Sequence, residues 1–180
     1  PSGRVVFAAV AAIIALAMAF HRFPGFNNPI LIERAQFSAD AATYTQWANF
    51  DKATAGLILL AFFCRRARTA AEWRELFARA APIAFATVVI VIGAAMLVGY
   101  VRPMPKLPAY TPIFLVTNLL FVCVAEEAFF RGFLQKRLSG FLQSKNVTSG
   151  AVIALVVCAL LFGLVHFAGE VTKQRVTGFT

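Results

Sequence analysis

Apolar residues run almost without interruption over residues 4–20, 53–64, 81–101, 113–125 and 151–167, and the polar residues gather between these runs. About 20 apolar residues suffice to cross a bilayer core as a helix. The pattern therefore predicts an all-α, polytopic transmembrane helical bundle of about five membrane helices. The first run reads as a membrane helix rather than a signal-peptide core, because no small-residue cleavage site precedes the His21-Arg22 flank. Phe23-Pro24-Gly25-Phe26-Asn27-Asn28-Pro29, dense in turn formers, ends it. Over residues 37–50 the aromatic side chains of Phe37, Tyr44 and Trp47 share one helical face among small and polar residues, which predicts a helix lying along the interface. The second run is short for a span. Residues 47–50 would lengthen it, with Asp51 and Lys52 snorkelling outward.

The polar intervals set the rest of the topology. Between residues 65 and 79, Arg65, Arg66, Arg68, Arg74 and Arg79 outnumber Glu72 and Glu75, so this interval reads as a cytoplasmic loop. Residues 81–101 form the third membrane helix, and Pro103, Pro105, Pro108 and Pro112 impose an extended external connector after it. The fourth helix is predicted from residue 113 through the acidic pair to about residue 138. Ser139-Gly140 to Ser149-Gly150 supplies a turn, and residues 151–167 form the fifth helix. The whole of 1–180 reads as one transmembrane helical domain, with accessory helices in 1–109 and the chemistry-bearing helices in 110–180. The chain starts without Met and stops at Thr180 in a polar stretch, which reads as part of a longer protein.

Composition agrees with a membrane protein. Hydrophobic residues make up 60% and charged residues 14%, against about a quarter charged in soluble domains, and the mean hydropathy is +0.75. The net charge of +9 forms no basic domain and no stacking-aromatic motif, so nucleic acid is excluded as the partner and orientation in the lipid bilayer explains the charge. The location this predicts is a bacterial inner (cytoplasmic) membrane. Cys64, Cys123 and Cys158 fall in or at the edge of apolar segments without Cys-x-x-Cys spacing, and read as small hydrophobes.

Glu126-Glu127-Ala-Phe-Phe-Arg131 directly follows the fourth apolar run. Ionised groups near a bilayer centre cost roughly 2.5–3.5 kcal/mol on insertion scales, so they face a protein interior and mark function. Glu127 and Arg131 are spaced i,i+4 in the favoured order, which predicts an ion pair. Glu126 is turned about 100° away and is left without that partner. One glutamate is thus neutralised structurally and the other is free for chemistry. On the next helix, Phe162-Gly-Leu-Val-His166 ends in a histidine. In isolation such a residue is a packed side chain bonded to a carbonyl. In an antiparallel hairpin, however, residues equally far from the turn lie level, and the midpoint of 126 and 166 is 146, inside the polar turn. Glu126 or Glu127 therefore faces His166. A carboxylate and an imidazole separated by one water, roughly 4–7 Å given hydrogen bonds near 2.8 Å, can polarise that water for attack. They could equally be two ligands of a divalent metal such as zinc, for which no third ligand is visible. His21, in the first external loop, reads as an interface residue.

Glu-Glu-x-x-x-Arg on one membrane helix followed by Phe-x-x-x-His on the next resembles the CPBP (Abi-like) family of intramembrane proteases, which includes CAAX prenyl-protein endopeptidases and bacteriocin-processing or self-immunity proteins. The resemblance covers residues 113–168. It implies a hydrolase in which Glu126 activates water with His166 while Glu127 and Arg131 hold the site and Phe162 belongs to the second motif. It also implies a later His-x-x-x-Asn or His-x-x-x-Asp that stabilises the oxyanion, absent from these residues, and either a metal-free glutamate mechanism or a divalent metal at Glu126 and His166. The implied substrate is a membrane-associated peptide or protein, prenylated or leader-bearing. The other readings are a non-catalytic membrane subunit or binding partner on the same scaffold, within a larger membrane complex, and a transporter or proton relay, which would spread its acids over several helices.

Overall fold

The computed structural model describes residues 2–38, 41 and 43–177. In chain order these form helix α1 (Ser2–Ala19), strands β1 (Ile30–Ala35) and β2 (Tyr44–Trp47), and helices α2 (Phe50–Phe63), α3 (Ala70–Leu97), α4 (Thr111–Ser144) and α5 (Gly150–Thr177). The chain divides into two compact units, one made of residues 1–64 and 112–180 and the other of residues 65–111.

In the larger unit, contacts between side chains at successive levels give the direction of the helix pairs. α1 and α2 run antiparallel: the Phe7 ring meets Phe62 and Phe63 at centroid distances of 5.7 and 5.8 Å, and at the opposite end His21 meets Asp51. α2 and α4 run parallel, with Phe50 against Phe121 at 5.6 Å and Phe63 against Phe133 at 4.9 Å. α4 and α5 form the antiparallel hairpin expected from the sequence, and Phe130 lies 5.2 Å from Phe162 across it. The core where α1, α2 and α4 meet is built from Ala8, Ala15, Met18, Ala55, Leu59, Ala128 and Phe133. Small residues predominate, as in membrane bundles, where close backbone approach rather than the hydrophobic effect drives association. Val5, Ile13, Leu57, Phe62, Leu160 and Leu164 point outward, an arrangement suited to lipid.

Among the described residues, three helices are long and apolar enough to cross a membrane: Ala70–Leu97, Thr111–Ser144 and Gly150–Phe167. The first apolar run does form a helix, but its apolar part is only Val5–Ala19. α2 has 14 residues, about 21 Å at 1.5 Å per residue, against a core of about 30 Å.

Several boundaries differ from the sequence reading, each for a local reason. Residues 37–50 do not form an interfacial helix. Tyr44–Trp47 is a strand paired antiparallel to Ile30–Ala35, with Ile30 opposite Trp47 and Ala35 opposite Tyr44; Ala39, Asp40 and Ala42 lie outside the described residues. Tyr, Thr and Trp favour the extended backbone, and tertiary contacts fix it. The Gln46 amide, buried, donates to Thr117 Oγ1 at 2.8 Å, and the Tyr44 ring packs against Phe114. Trp47 therefore belongs to the hairpin and does not extend α2.

In the smaller unit, the interval read as a loop is helical from Ala70 onward. The signal is a capping box: Thr69 Oγ1 accepts from Glu72 N at 3.2 Å, and the Glu72 carboxylate accepts from Arg68 N at 2.6 Å. Arg79 then pairs with Glu75 one turn on, at 2.5 Å. The proline-rich stretch after α3 is non-helical over residues 101–108, as expected.

α4 does not end near residue 138. It continues through Ser139 and Gly140 to Ser144, leaving a short turn in which Asn146 takes a left-handed φ of 58°. α5 begins at Gly150 and extends past residue 167 to Thr177. α4 is also not regular. Asn118–Cys123 and Ala128–Gln135 are π-helical, and they flank one α-helical turn, Val124–Glu127, that carries both acids. π segments inside α-helices are frequent at functional sites.

Candidate active site

Two glycines lie at the contact between α2 and α4. A Cβ on Gly56 would come within 2.8 Å of Ala125 Cα, and one on Gly132 would lie 2.2 Å from Cys64 Sγ. At Gly56 the obstacle is backbone, so that position must lack a side chain for the helices to touch, whereas at Gly132 it is the end of the Cys64 side chain. Near the contact of Gly56 with Ala125, the residue one turn earlier on α2 and the residue after Ala125 bring their charged ends together. These are Lys52 and Glu126, and their charged atoms Nζ and Oε1 are 3.9 Å apart.

The α4–α5 hairpin supplies the other side. His166 Nε2 lies 3.8 Å from Glu126 Oε2, just under the one-water spacing expected from the sequence, so a water bonded to both atoms sits off the line joining them. His166 Nδ1 is 2.9 Å from the Phe162 carbonyl oxygen. A carbonyl only accepts, so Nδ1 carries the hydrogen, and in the neutral ring Nε2 is left as an acceptor facing Glu126. The Phe162 ring packs against the imidazole at 4.2 Å, which fixes its tilt. The histidine thus makes the carbonyl bond of a packed residue and also faces the acid.

Glu127 behaves as the spacing predicts: Arg131 Nε donates to its carboxylate. Both side chains are more than half exposed. Glu126, with 23% of its side chain exposed, has no contact with Arg131, but it is not isolated, since Lys52 and His166 approach its two oxygens from opposite helices. These three residues are the polar side chains of a cavity of about 530 Å³ whose other walls are apolar, among them Leu16 and Phe20 of α1, Leu59 of α2 and Phe129 and Phe130 of α4.

Sequence reasoning missed Lys52 and Asp51, which it read as snorkelling residues, and did not foresee the partner of His21. Asp51 is 1% exposed. It accepts from His21 Nδ1 at 2.6 Å and from Lys52 N at 2.8 Å, so His21 is a structural partner rather than a free interface residue. The available signal was a charged pair immediately before an apolar helix that contains a glycine one turn later. A resident metal is a poor fit to these residues. Among the described residues no three His, Cys, Asp or Glu side chains converge, and the third group at Glu126 is an ammonium, which would repel a cation.

Residues 108–179 match the family described as type II CAAX prenyl endopeptidase Rce1-like. Both motifs, Glu126 to Arg131 and Phe162 to His166, lie within that segment, and the resemblance to the CPBP intramembrane proteases is shown over it. No curated protein and no solved structure matches the chain.

Proposed function

We propose that this chain is an intramembrane endopeptidase of the CAAX type, in which Glu126 and His166 activate a water toward a peptide bond of a prenylated or otherwise membrane-associated substrate. The observation that carries this reading is the placement of Glu126 Oε2 and His166 Nε2, 3.8 Å apart and out of direct hydrogen-bond range, at the wall of an apolar cavity. The water donates one hydrogen to each. As its oxygen attacks the carbonyl carbon, Glu126 takes its proton, and the carbonyl π pair moves onto oxygen. When the C–N bond breaks, that pair re-forms the carbonyl and Glu126 returns the proton to the departing nitrogen. His166, held by the Phe162 carbonyl, orients the water throughout. The ion pair of Glu127 with Arg131 occupies the second acid, so that one carboxylate remains for proton transfer. The outward apolar surface of α1, α2 and α5 supports a place in the lipid bilayer, with α1 packed on α2 and α2 packed on α4.

The test uses the protein in proteoliposomes and an internally quenched farnesylated peptide ending in a Cys-aliphatic-aliphatic-X sequence. Glu126→Gln keeps size and polarity and removes the base, so cleavage is expected to fall by a factor of ~10² or more. Undiminished cleavage would overturn the mechanism, and a wild-type protein that binds the peptide without cutting it would move the assignment to a non-catalytic binding subunit.

A further inference from the structure

Lys52 is left unused by that mechanism, although it lines the same cavity. We infer that Lys52 is a further catalytic residue, a donor to the oxyanion formed when the Glu126-activated water attacks the substrate carbonyl, in addition to the later His-x-x-x-Asn or His-x-x-x-Asp motif that the resemblance implies. The inference rests on the proposed protease reading and extends it to a residue outside both motifs.

Three observations carry it. First, an ammonium in a cavity whose walls are otherwise apolar is costly unless it meets negative charge. Lys52 is only 24% exposed, and the charge it meets is Glu126. Second, the pair is not locked. Arg131 donates directly to Glu127, whereas Lys52 Nζ stands 3.9 Å from Glu126, beyond hydrogen-bond length. Its hydrogens therefore remain available to a third oxygen. Third, of the polar groups lining the cavity, Glu126 accepts and the neutral His166 presents an acceptor Nε2, so Lys52 is the one side-chain donor among the described lining residues.

The movement of charge during the reaction explains why a lysine belongs there. In the ground state the negative charge near Nζ is on Glu126. As the water oxygen bonds to the carbonyl carbon, its proton passes to Glu126 and neutralises it, while the carbonyl π pair becomes a lone pair on the oxyanion. The negative charge moves from one neighbour of Lys52 to another, and the ammonium is paired at both stages. On collapse the oxyanion pair re-forms C=O, the C–N bonding pair leaves with nitrogen, and the proton on Glu126 transfers to that nitrogen. Lys52 neither gains nor loses a proton. An anionic substrate group docked on Lys52 in the ground state would instead face the Glu126 carboxylate and be repelled.

The experiment compares wild type, Lys52→Met, Lys52→Arg and Glu126→Gln in proteoliposomes with the same farnesylated peptide, and measures binding of a peptidyl phosphinate of matching sequence as a tetrahedral-anion mimic. Removing one oxyanion donor typically lowers kcat by ~10²–10³-fold. K52M is expected to show that loss in kcat with KM within about threefold, and a comparable loss of phosphinate affinity, while K52R recovers part of both. If K52M cleaves within about threefold of wild type while E126Q is inactive, the protease reading stands and the role of Lys52 is overturned. If wild type itself does not cleave, both fall. If K52M fails to fold, K52R and Lys52→Gln decide the matter by the same kcat and phosphinate readouts, and retention of full kcat by K52Q overturns the proposal.

Discussion

Gly56 of α2 rests on Ala125 of α4 so closely that a Cβ there would come within 2.8 Å of the Ala125 backbone. That contact sets how closely the helices that carry Lys52 and Glu126 approach each other. The site is thus assembled by a residue with no side chain, located one turn from one charged group and one residue from the other in contact.

Gly56→Ala is therefore expected to do more than fill space. The nearest atom is backbone, which cannot rotate away, so the helices must separate, at a stability cost of about 1–3 kcal/mol. Unfolding in detergent micelles measures that loss. Separation also draws Lys52 from Glu126, so activity should fall along with stability, whereas Gly140→Ala, which meets nothing within 4 Å, should change neither. Equal behaviour of the two variants would show that the close approach is not what holds the pair.

The second prediction concerns His21 and Asp51. The Asp51 carboxylate is buried and His21 is its side-chain partner, at 2.6 Å. Replacing His21 by Ala leaves a buried acceptor with only the Lys52 N–H, and a stability loss of about 1–3 kcal/mol is expected. His21 is about half exposed, so water reaches the vacated position and the full penalty of a buried broken ion pair does not apply. The combined variant with Asp51→Leu should lose less than the sum of the two single changes. Additive losses in that cycle would show that the two side chains are energetically independent.

Phe162 supports His166 in two ways, through its carbonyl at 2.9 Å and its ring at 4.2 Å. Phe162→Ala retains the carbonyl and removes the ring, so the imidazole keeps its tautomer and loses its fixed tilt. A fall in kcat of about tenfold is expected from the looser positioning, with KM little changed. Phe162→Leu should recover part of it, since a branched apolar side chain still packs on the ring. A loss confined to KM would assign Phe162 to substrate binding.

Much of the fold was legible before any coordinates, because membrane helices announce themselves by long apolar runs and because lipid leaves few alternatives to a helix. The α4–α5 hairpin, the pairing of Glu127 with Arg131 and the approach of His166 to one of the two acids follow from local spacing plus one antiparallel turn, and the structure selects Glu126. The hairpin of residues 30–47 was not legible. Tyr44 and Trp47 suit either a helical face or a strand, and the choice is made by Gln46 reaching Thr117, 71 residues away in sequence. The extension of α3 back to Ala70 was readable in Thr69 and Glu72, but the arginines around them pointed to a loop.

The amino-acid sequence by itself determined where the long apolar helices lie, which acid is neutralised by its own helix, and that one of the two acids faces His166 across the hairpin, since each of these depends on neighbours at fixed offsets along the chain. Only the tertiary structure decided that Lys52 is the third member of the cavity and that Asp51 is a buried anchor held by His21. Those relations depend on how near two helices come and in which register. That distance is governed by the missing Cβ of Gly56, and the spacing of charges along the sequence carries no trace of it.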